Sequence, residues 1–219
     1  MSHRFEAYEK VIDKILKYFA GPALHDELLI AKKEFFDGSG VLDEQAMNYE
    51  VRMSQFYDWY FFSRSLKGYG HTPLDSCHLV RELRFDDEEK QLLLVLKQYR
   101  QSLFELIKVK GQDLYLRDLL KNEKIVVKSV ENTFGFNTEE IFEVHLILDQ
   151  GNWLFTRGFC FHPPEAKKYI YAEVKKHRNN PELEVKDLML KLIKMKYKFE
   201  QYKHVSSDLI YADQSVMRF

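Results

Sequence analysis

The spacing of hydrophobic residues changes twice along this chain, and this change constrains the fold more than any other sequence feature. From Phe5 to Ala20 apolar residues recur every three or four positions, which is the period of an amphipathic helix. From Ser102 to Phe161 short apolar runs and alternating patterns are typical of strands. The helical period returns from about Val185 to His204. This order of helices, strands and helices predicts an α+β fold.

Breaking and capping residues set the limits of the predicted helices. Gly21-Pro22 ends the first helix, and four carboxylates from Asp86 to Glu89 mark the start of a later one. Carboxylates suit that position because they bond free amides and complement the positive end of the helix dipole. The main helices are predicted over residues 5–20, 23–36, 43–63, 86–99, 164–178 and 185–204.

Five strand patterns follow one another closely between the two helical regions. They cover residues 102–110, 113–118, 123–130, 140–148 and 152–161, with Gly111 and Gly151 in tight turns. Short, hairpin-connected strands favour a curled sheet, because curling removes exposed edges. We therefore predict a helical N-terminal region (1–100), a small five-stranded, mostly antiparallel β-barrel (101–162), a C-terminal helical region (163–205) and a tail (206–219).

Composition excludes several classes of protein. The chain has 219 residues, 45% of them hydrophobic, and a net charge of −1, so neither a disordered segment nor a uniformly basic nucleic-acid binder is indicated. No apolar run approaches the roughly 20 residues that span a bilayer, and residues 1–17 lack the apolar core of a signal peptide. Two cysteines are too few for a disulfide scaffold. We expect a cytoplasmic protein without a membrane partner.

Several short strings resemble a group of uncharacterised bacterial proteins that often carry a SEC-C zinc motif. The resemblance spans roughly residues 56–202 and implies a soluble bacterial protein with this order of elements. A SEC-C motif needs three cysteines and a further cysteine or histidine in a compact cluster, which this chain lacks. Its zinc-dependent adaptor role is therefore not carried over. The strings are Phe56–Phe62 with Ser65-Leu66, Thr72-Pro73-Leu74, Ser102–Leu106, Leu116–Leu120 and Gly151–Phe155.

Few residues have the spacing of metal ligands or of a nucleophilic site. Cys77 and His78 are neighbours that point in different directions, and Cys160 with His162 supplies two of the usual four zinc ligands. We predict no metal and no cofactor. A hydrolase remains an alternative if Cys160, His162 and His145 line a common pocket. The pair Arg117-Asp118 is interpreted as structural, with the aspartate bonding amides of the following turn.

The C-terminal region carries the most informative charge pattern. Residues 167–204 contain 11 basic and five acidic residues, although the whole chain is close to neutral. Lys191, Lys194 and Lys198 form a basic stripe beside the apolar seam of the final helix. The apolar arc of that helix is wide enough to pack on two sides, against the body and against another helix or chain.

These observations favour a non-enzymatic protein-interaction or adaptor module. The predicted partner is another protein, or a second copy of the chain, that contacts the C-terminal helix. The alternative is weak, sequence-independent nucleic-acid binding through Lys191, Lys194 and Lys198. No catalytic residue is assigned.

Overall fold

The computed structural model describes residues 3–130, 133 and 135–212, and it combines helices with one antiparallel sheet. Within these residues, five α-helices precede the sheet and three follow it. Residues 213–219 of the predicted tail lie outside the described residues. The helices are α1 (His3–Phe19), α2 (His25–Ser39), α3 (Tyr49–Phe62), α4 (Pro73–Ser76), α5 (Asp87–Leu96), α6 (Lys167–Asn179), α7 (Val185–Gln201) and α8 (Ser207–Ile210).

The helix limits follow local chemistry. Helix α5 begins with the predicted acidic cap: the Asp86 side chain accepts from the Glu89 amide, and the Glu89 side chain accepts from the Asp86 amide. Helix α3 begins six residues later than predicted. Asp43 accepts hydrogen bonds from the amides of Gln45 and Ala46 and so holds the preceding segment in turns.

The sheet contains β1 (Arg100–Lys110), β2 (Asp113–Asp118), β3 (Glu123–Val127), β4 (Ile141–Asp149), β5 (Asn152–Phe155) and β6 (Cys160–His162). Its strand order is β3-β2-β1-β4-β5, and β6 also pairs with β4. The strands pair in antiparallel fashion throughout the described sheet, with Phe104 opposite Asp118 on one side and opposite Phe142 on the other. Gly111 and Gly151 have positive φ in the turns that were predicted there.

The sheet is a curled half-barrel, so the prediction of a closed barrel is wrong. The predicted fifth strand is divided into β5 and β6, because residues 156–159 leave the sheet and bond to side chains of α3. Strands β3 and β5 approach each other without pairing. Apolar side chains fill the concave face between them, including the rings of Phe136, Phe142, Phe155, Phe159 and Phe161.

Helix α7 is packed on two sides within the chain. Ile193 belongs to the core formed with α1, α2 and α3, whereas Leu188, Leu192 and Met195 belong to a second core with α6 and α8. The wide apolar arc is therefore covered largely by the protein itself. No helix in the described part of the chain is both long and apolar enough to cross a membrane.

Candidate functional site

The three lysines of the predicted stripe have different surroundings. Lys191 lies 2.8 Å from Glu173 in a salt bridge, and Lys194 donates to the Asp37 carbonyl oxygen at 3.0 Å. Lys198 is half-buried in the last two turns of α7. The salt bridge offsets the Lys191 charge, so the stripe presents less free charge than its sequence indicates. The nucleic-acid role of these residues stays a prediction.

Replacing Lys198 by Glu tests the nucleic-acid hypothesis with little disturbance to the fold. If the stripe binds RNA or DNA at low salt, Lys198→Glu should weaken that binding. The slope of the logarithm of the binding constant against the logarithm of the salt concentration should also become shallower by about one. Fluorescence anisotropy of a labelled oligonucleotide over a salt series measures both quantities. Lys10→Glu, at an exposed position on α1, is the control. Equal binding by all three proteins would contradict a role for the stripe.

Two residues of the hydrolase hypothesis, Cys160 and His145, line separate cavities. Cys160 lines a pocket of about 190 Å³ beside α7, whereas His145 lines a small cavity between α3 and the sheet. Burial raises the pKa of the Cys160 thiol well above its ordinary value, so the thiol remains protonated at neutral pH. A protonated thiol is a poor nucleophile. Among the described residues, no group of three or more His, Cys, Asp or Glu is placed to hold a metal ion.

A buried polar cluster joins α3 to the sheet. Asp58 accepts hydrogen bonds from the Thr156 hydroxyl and, at 2.8 Å, from the Gly158 amide. Burial raises the pKa of Asp58 to about 6, although both hydrogen bonds act in the opposite direction. A Cβ at Gly158 would lie within 3 Å of the Asp58 side chain, so only glycine permits this approach. The cluster explains why the predicted fifth strand breaks at this point.

Ser63, His145 and Asp58 form an array that superficially resembles a serine nucleophile with its base. Ser63 Oγ lies 3.4 Å from His145 Nε2, and His145 Nδ1 lies 3.8 Å from Asp58 Oδ2. The imidazole is stacked against Phe62 and buried, and Ser63 Oγ also donates to Gln101 Oε1 at 3.3 Å. Because His145 is covered by aromatic rings, the array is suited to connecting α3 with β4.

A cleft of about 430 Å³ lies between α1 and α3 on the other side of Asp58. Glu9, Asp13 and Glu50 add carboxylates to its wall. Arg157 donates to Glu9 at 2.7 Å across the cleft. Arg157 and Glu9 therefore neutralise each other in the wall of the cleft.

A larger groove runs beside the C-terminal half of α7. We call it the α7 groove; it has a volume of about 660 Å³ between the turns before α3 and the end of α7. Met47 on its rim is fully exposed, and Val51, four residues later on α3, is 52% exposed. The groove is lined by Asp43, Ala46, Met47, Asn48, Tyr197, Phe199, Glu200, Gln201 and Lys203.

The pocket of about 190 Å³ adjoins this groove and shares Asn48, Tyr197 and Glu200 with it. We call it the Arg52 pocket. Apolar side chains supply most of its wall, and Arg52, Gln55 and Lys196 supply polar groups. The apolar lining residues are Val51, Phe159, Cys160, Phe161 and Ile193.

Arg52 is a buried cation, with 4% of its surface exposed. Its Nη2 donates to the carbonyl oxygens of Ser39 and Gly40 at 3.1 and 2.5 Å. The guanidinium lies between the rings of Phe36 and Tyr197. Nε and Nη1 are buried without a hydrogen-bond partner among the described residues. Burial lowers the pKa of Arg52, but the ordinary pKa of arginine is so high that the side chain stays charged at neutral pH.

Sequence reasoning missed Arg52, Asp58 and the α7 groove. A signal for Arg52 was present, since it stands four residues before Phe56 and therefore on the face of α3 that carries aromatic residues. Nothing in the sequence indicated that Tyr197 would cover it, because that contact joins two helices far apart in the chain.

Comparisons with known proteins supply a family and no activity. The sequence model of DUF7986, a family of unknown function, matches residues 6–204. No curated protein and no solved structure matches the chain. The match agrees with the resemblance to uncharacterised proteins, and the family description mentions no SEC-C motif.

Proposed function

Because the chain belongs to DUF7986, a family of unknown function, we propose from its surface that it is a non-enzymatic protein-interaction module. The α7 groove is the docking surface, and its occupant is a peptide segment of a partner protein. The observation that carries this proposal is the exposure of Met47 and Val51 beside a groove of about 660 Å³. Contiguous exposed apolar surface with a polar rim is typical of protein-binding sites.

Charge favours an acidic or carboxylate-bearing segment as the occupant. Arg52 is a buried cation, and no salt bridge is found for it in the part of the chain that the structure describes. Lys203 adds a positive charge at the end of the groove. Glu200 is engaged by Lys196 at 3.2 Å and by the Asn48 side-chain amide at 3.2 Å. A negatively charged segment therefore complements the groups that lack a partner.

Selection from a displayed peptide library, with free C-termini on the peptides, tests the groove directly. We expect Met47→Asp to abolish binding of the enriched peptides, because the carboxylate removes apolar contact and repels negative charge. Met47 lines the groove and is fully exposed in the turns before α3, so the fold should persist.

Leu29→Asp is the matched control, since Leu29 is 50% exposed on α2 and lies outside the groove. It should bind the same peptides as the unaltered chain. Peptides that bind all three proteins equally would refute the groove as the docking surface. Self-association that is lost in Met47→Asp, measured by analytical ultracentrifugation, would instead identify a second copy of the chain as the occupant.

A further inference from the structure

We propose that the cleft of about 430 Å³ between α1 and α3 binds a small organic amine, with the ammonium group bonded to Asp58 and the apolar part of the ligand between the two helices. We call it the α1–α3 cleft. In the described part of the chain it shares no lining residue with the α7 groove, so the inference goes beyond the proposed docking function. Shape, charge and an accessible acceptor on Asp58 support it.

One stripe of residues on each helix forms the walls of the α1–α3 cleft. The lining residues recur every three or four positions, from Phe5 to Ala20 along α1 and from Glu50 to Asp58 along α3. A volume of about 430 Å³ lies within the range of small-molecule sites, which are mostly apolar with a few polar groups. The two stripes therefore offer a small ligand apolar contact on both sides. The apolar part of the lining consists of Phe5, Ile12, Leu16, Ala20 and Met53.

The charge of the lining favours a cation as the occupant. The described lining contains four carboxylates and two cationic side chains. Arg157 donates to Glu9 at 2.7 Å, so these two charges offset each other. Asp13 and Glu50 are exposed, and neither forms a salt bridge with a described residue. A positively charged ligand therefore complements the groups that remain. The carboxylates are Glu9, Asp13, Glu50 and Asp58, and the cations are Lys17 and Arg157.

Asp58 supplies the acceptor for the ammonium group. Its side chain is 14% exposed, whereas Asp13 and Glu50 lie open to solvent. Oδ2 accepts from the Thr156 hydroxyl and the Gly158 amide, which fixes the orientation of the carboxylate. Oδ1 accepts no hydrogen bond from a described residue and is not sealed from solvent, so a ligand can reach it. An ammonium group bonded to Oδ1 makes a charge-assisted hydrogen bond in a partly desolvated position.

The chemistry of the α1–α3 cleft distinguishes an organic amine from other cations. No group of three or more His, Cys, Asp or Glu among the described residues is placed to hold a metal ion. A metal ion would also leave the apolar stripes uncovered. A lysine side chain of a partner protein would bring peptide groups against these stripes, where they lack hydrogen-bond partners. A compact amine with an apolar body satisfies both the carboxylate and the apolar walls.

Titration of the unaltered full chain with three probes of similar size tests the assignment. Phenethylammonium carries the positive charge, phenethyl alcohol carries none, and hydrocinnamate carries a negative charge. We expect phenethylammonium to shift the NMR signal of the Met53 methyl group with a Kd below about 1 mM. Phenethyl alcohol should bind about tenfold more weakly or worse, and hydrocinnamate should leave the signal unchanged. Met53→Leu identifies the signal by its disappearance.

A pair of double variants locates the charge effect. Asp13→Asn with Glu50→Gln removes two exposed charges from the cleft and should weaken phenethylammonium binding about threefold, without changing the binding of phenethyl alcohol. Asp26→Asn with Glu44→Gln makes the same changes at exposed positions outside the cleft and should bind like the unaltered chain. Equal weakening in both double variants would assign the effect to net charge and overturn the cleft as the site.

Acidification tests the bond to Asp58. Burial raises the pKa of Asp58 to about 6, so its carboxylate becomes protonated and phenethylammonium should bind about fourfold more weakly at pH 5.5 than at pH 7.5. His145 lies 3.8 Å from Oδ2 and is neutral over this range, because burial lowers its pKa to about 3. Asp13→Asn with Glu50→Gln should keep the fourfold change, since Asp58 is retained. The other titratable groups that line the cleft are Glu9, Asp13, Lys17, Glu50, Tyr57 and Arg157.

Four further results would overturn the inference. The first is equal affinity for phenethylammonium and phenethyl alcohol, and the second is an unchanged Met53 signal at about 10 mM phenethylammonium. The third is binding that does not weaken with acid, or that loses its pH dependence in Asp13→Asn with Glu50→Gln, because either result would exclude Asp58 as the acceptor. The fourth is tighter binding of N-acetyl-lysine methylamide than of phenethylammonium, which would identify a lysine side chain of a partner protein as the occupant.

Discussion

The Asp118→Ala variant should lose about 3 to 5 kcal/mol of unfolding free energy, which is much of the stability of an ordinary domain. Asp118 is fully buried at the end of β2. Its Oδ1 accepts from the Ser102 hydroxyl and, at 3.0 Å each, from the amides of Leu120 and Lys121. Its Oδ2 lies 3.3 Å from Arg100 Nη1. Alanine leaves these donors, including the buried Ser102 hydroxyl, without their acceptor.

Urea unfolding followed by circular dichroism measures this loss, and Arg117→Ala is the neighbouring control. Arg117 is half-buried and donates to the Asn122 side chain at 2.9 Å, so its removal should change the unfolding free energy by less than about 1 kcal/mol. Similar losses in both variants would show that the Asp118 network does not hold the β2–β3 turn.

Acidification from pH 7 to pH 4.5 should destabilise the protein through His145 and His162. Burial lowers the pKa of each imidazole from 6.5 to about 3. The stability that the two neutral rings contribute is therefore present above about pH 6.5 and is lost as the pH falls toward 3. At pH 4.5 the two residues together should lower the free energy of unfolding by about 5 kcal/mol.

Asp58 opposes part of this loss. Since burial raises the pKa of Asp58 from 3.8 to about 6, its contribution is largest below pH 3.8 and is lost as the pH rises through about 6. Between pH 7 and pH 4.5, protonation of Asp58 should raise the free energy of unfolding by about 2 kcal/mol. These three groups together should therefore lower the unfolding free energy by about 3 kcal/mol. Glu143 reduces this loss further, because burial raises its pKa well above the ordinary value.

His162→Phe removes one of the two buried imidazoles. It should therefore halve the part of the acid-induced loss of unfolding free energy that the two histidines cause. Chemical unfolding at pH 7 and pH 4.5 measures the difference between the two free energies. His78→Gln, at an exposed position, should show the full loss and serves as the control. A loss in His162→Phe as large as in the unaltered chain would contradict the assignment to His162.

Local chemistry predicted those parts of the fold that short segments control. The acidic cap of α5, the end of α1 at Gly21-Pro22 and the turns at Gly111 and Gly151 were all predicted near their observed positions. The bonding of Asp118 to the amides of the next turn is also confirmed. Each depends on residues a few positions apart, so the sequence contains nearly all the information.

The candidate site could not be predicted in the same way. Val51, Arg52 and Gln55 come from α3, whereas Tyr197 comes from α7 and Phe159 from the segment between β5 and β6. Periodicity places a residue on a helix face, but it does not state which other element covers that face. The sequence thus indicated that Arg52 is a charged residue on an aromatic helix face, but it did not indicate the pocket beside it.

Sequence determined the order of helices and strands, because hydrophobic period and capping act over one or two turns of chain. Tertiary structure decided that the sheet stays open, since Asp58 on α3 binds Thr156 and Gly158 and divides the last predicted strand. It also decided that Arg52 is buried beneath Tyr197, with no counterion among the residues that the structure describes. Contacts between residues so distant in sequence depend on how whole elements pack, which no local pattern specifies.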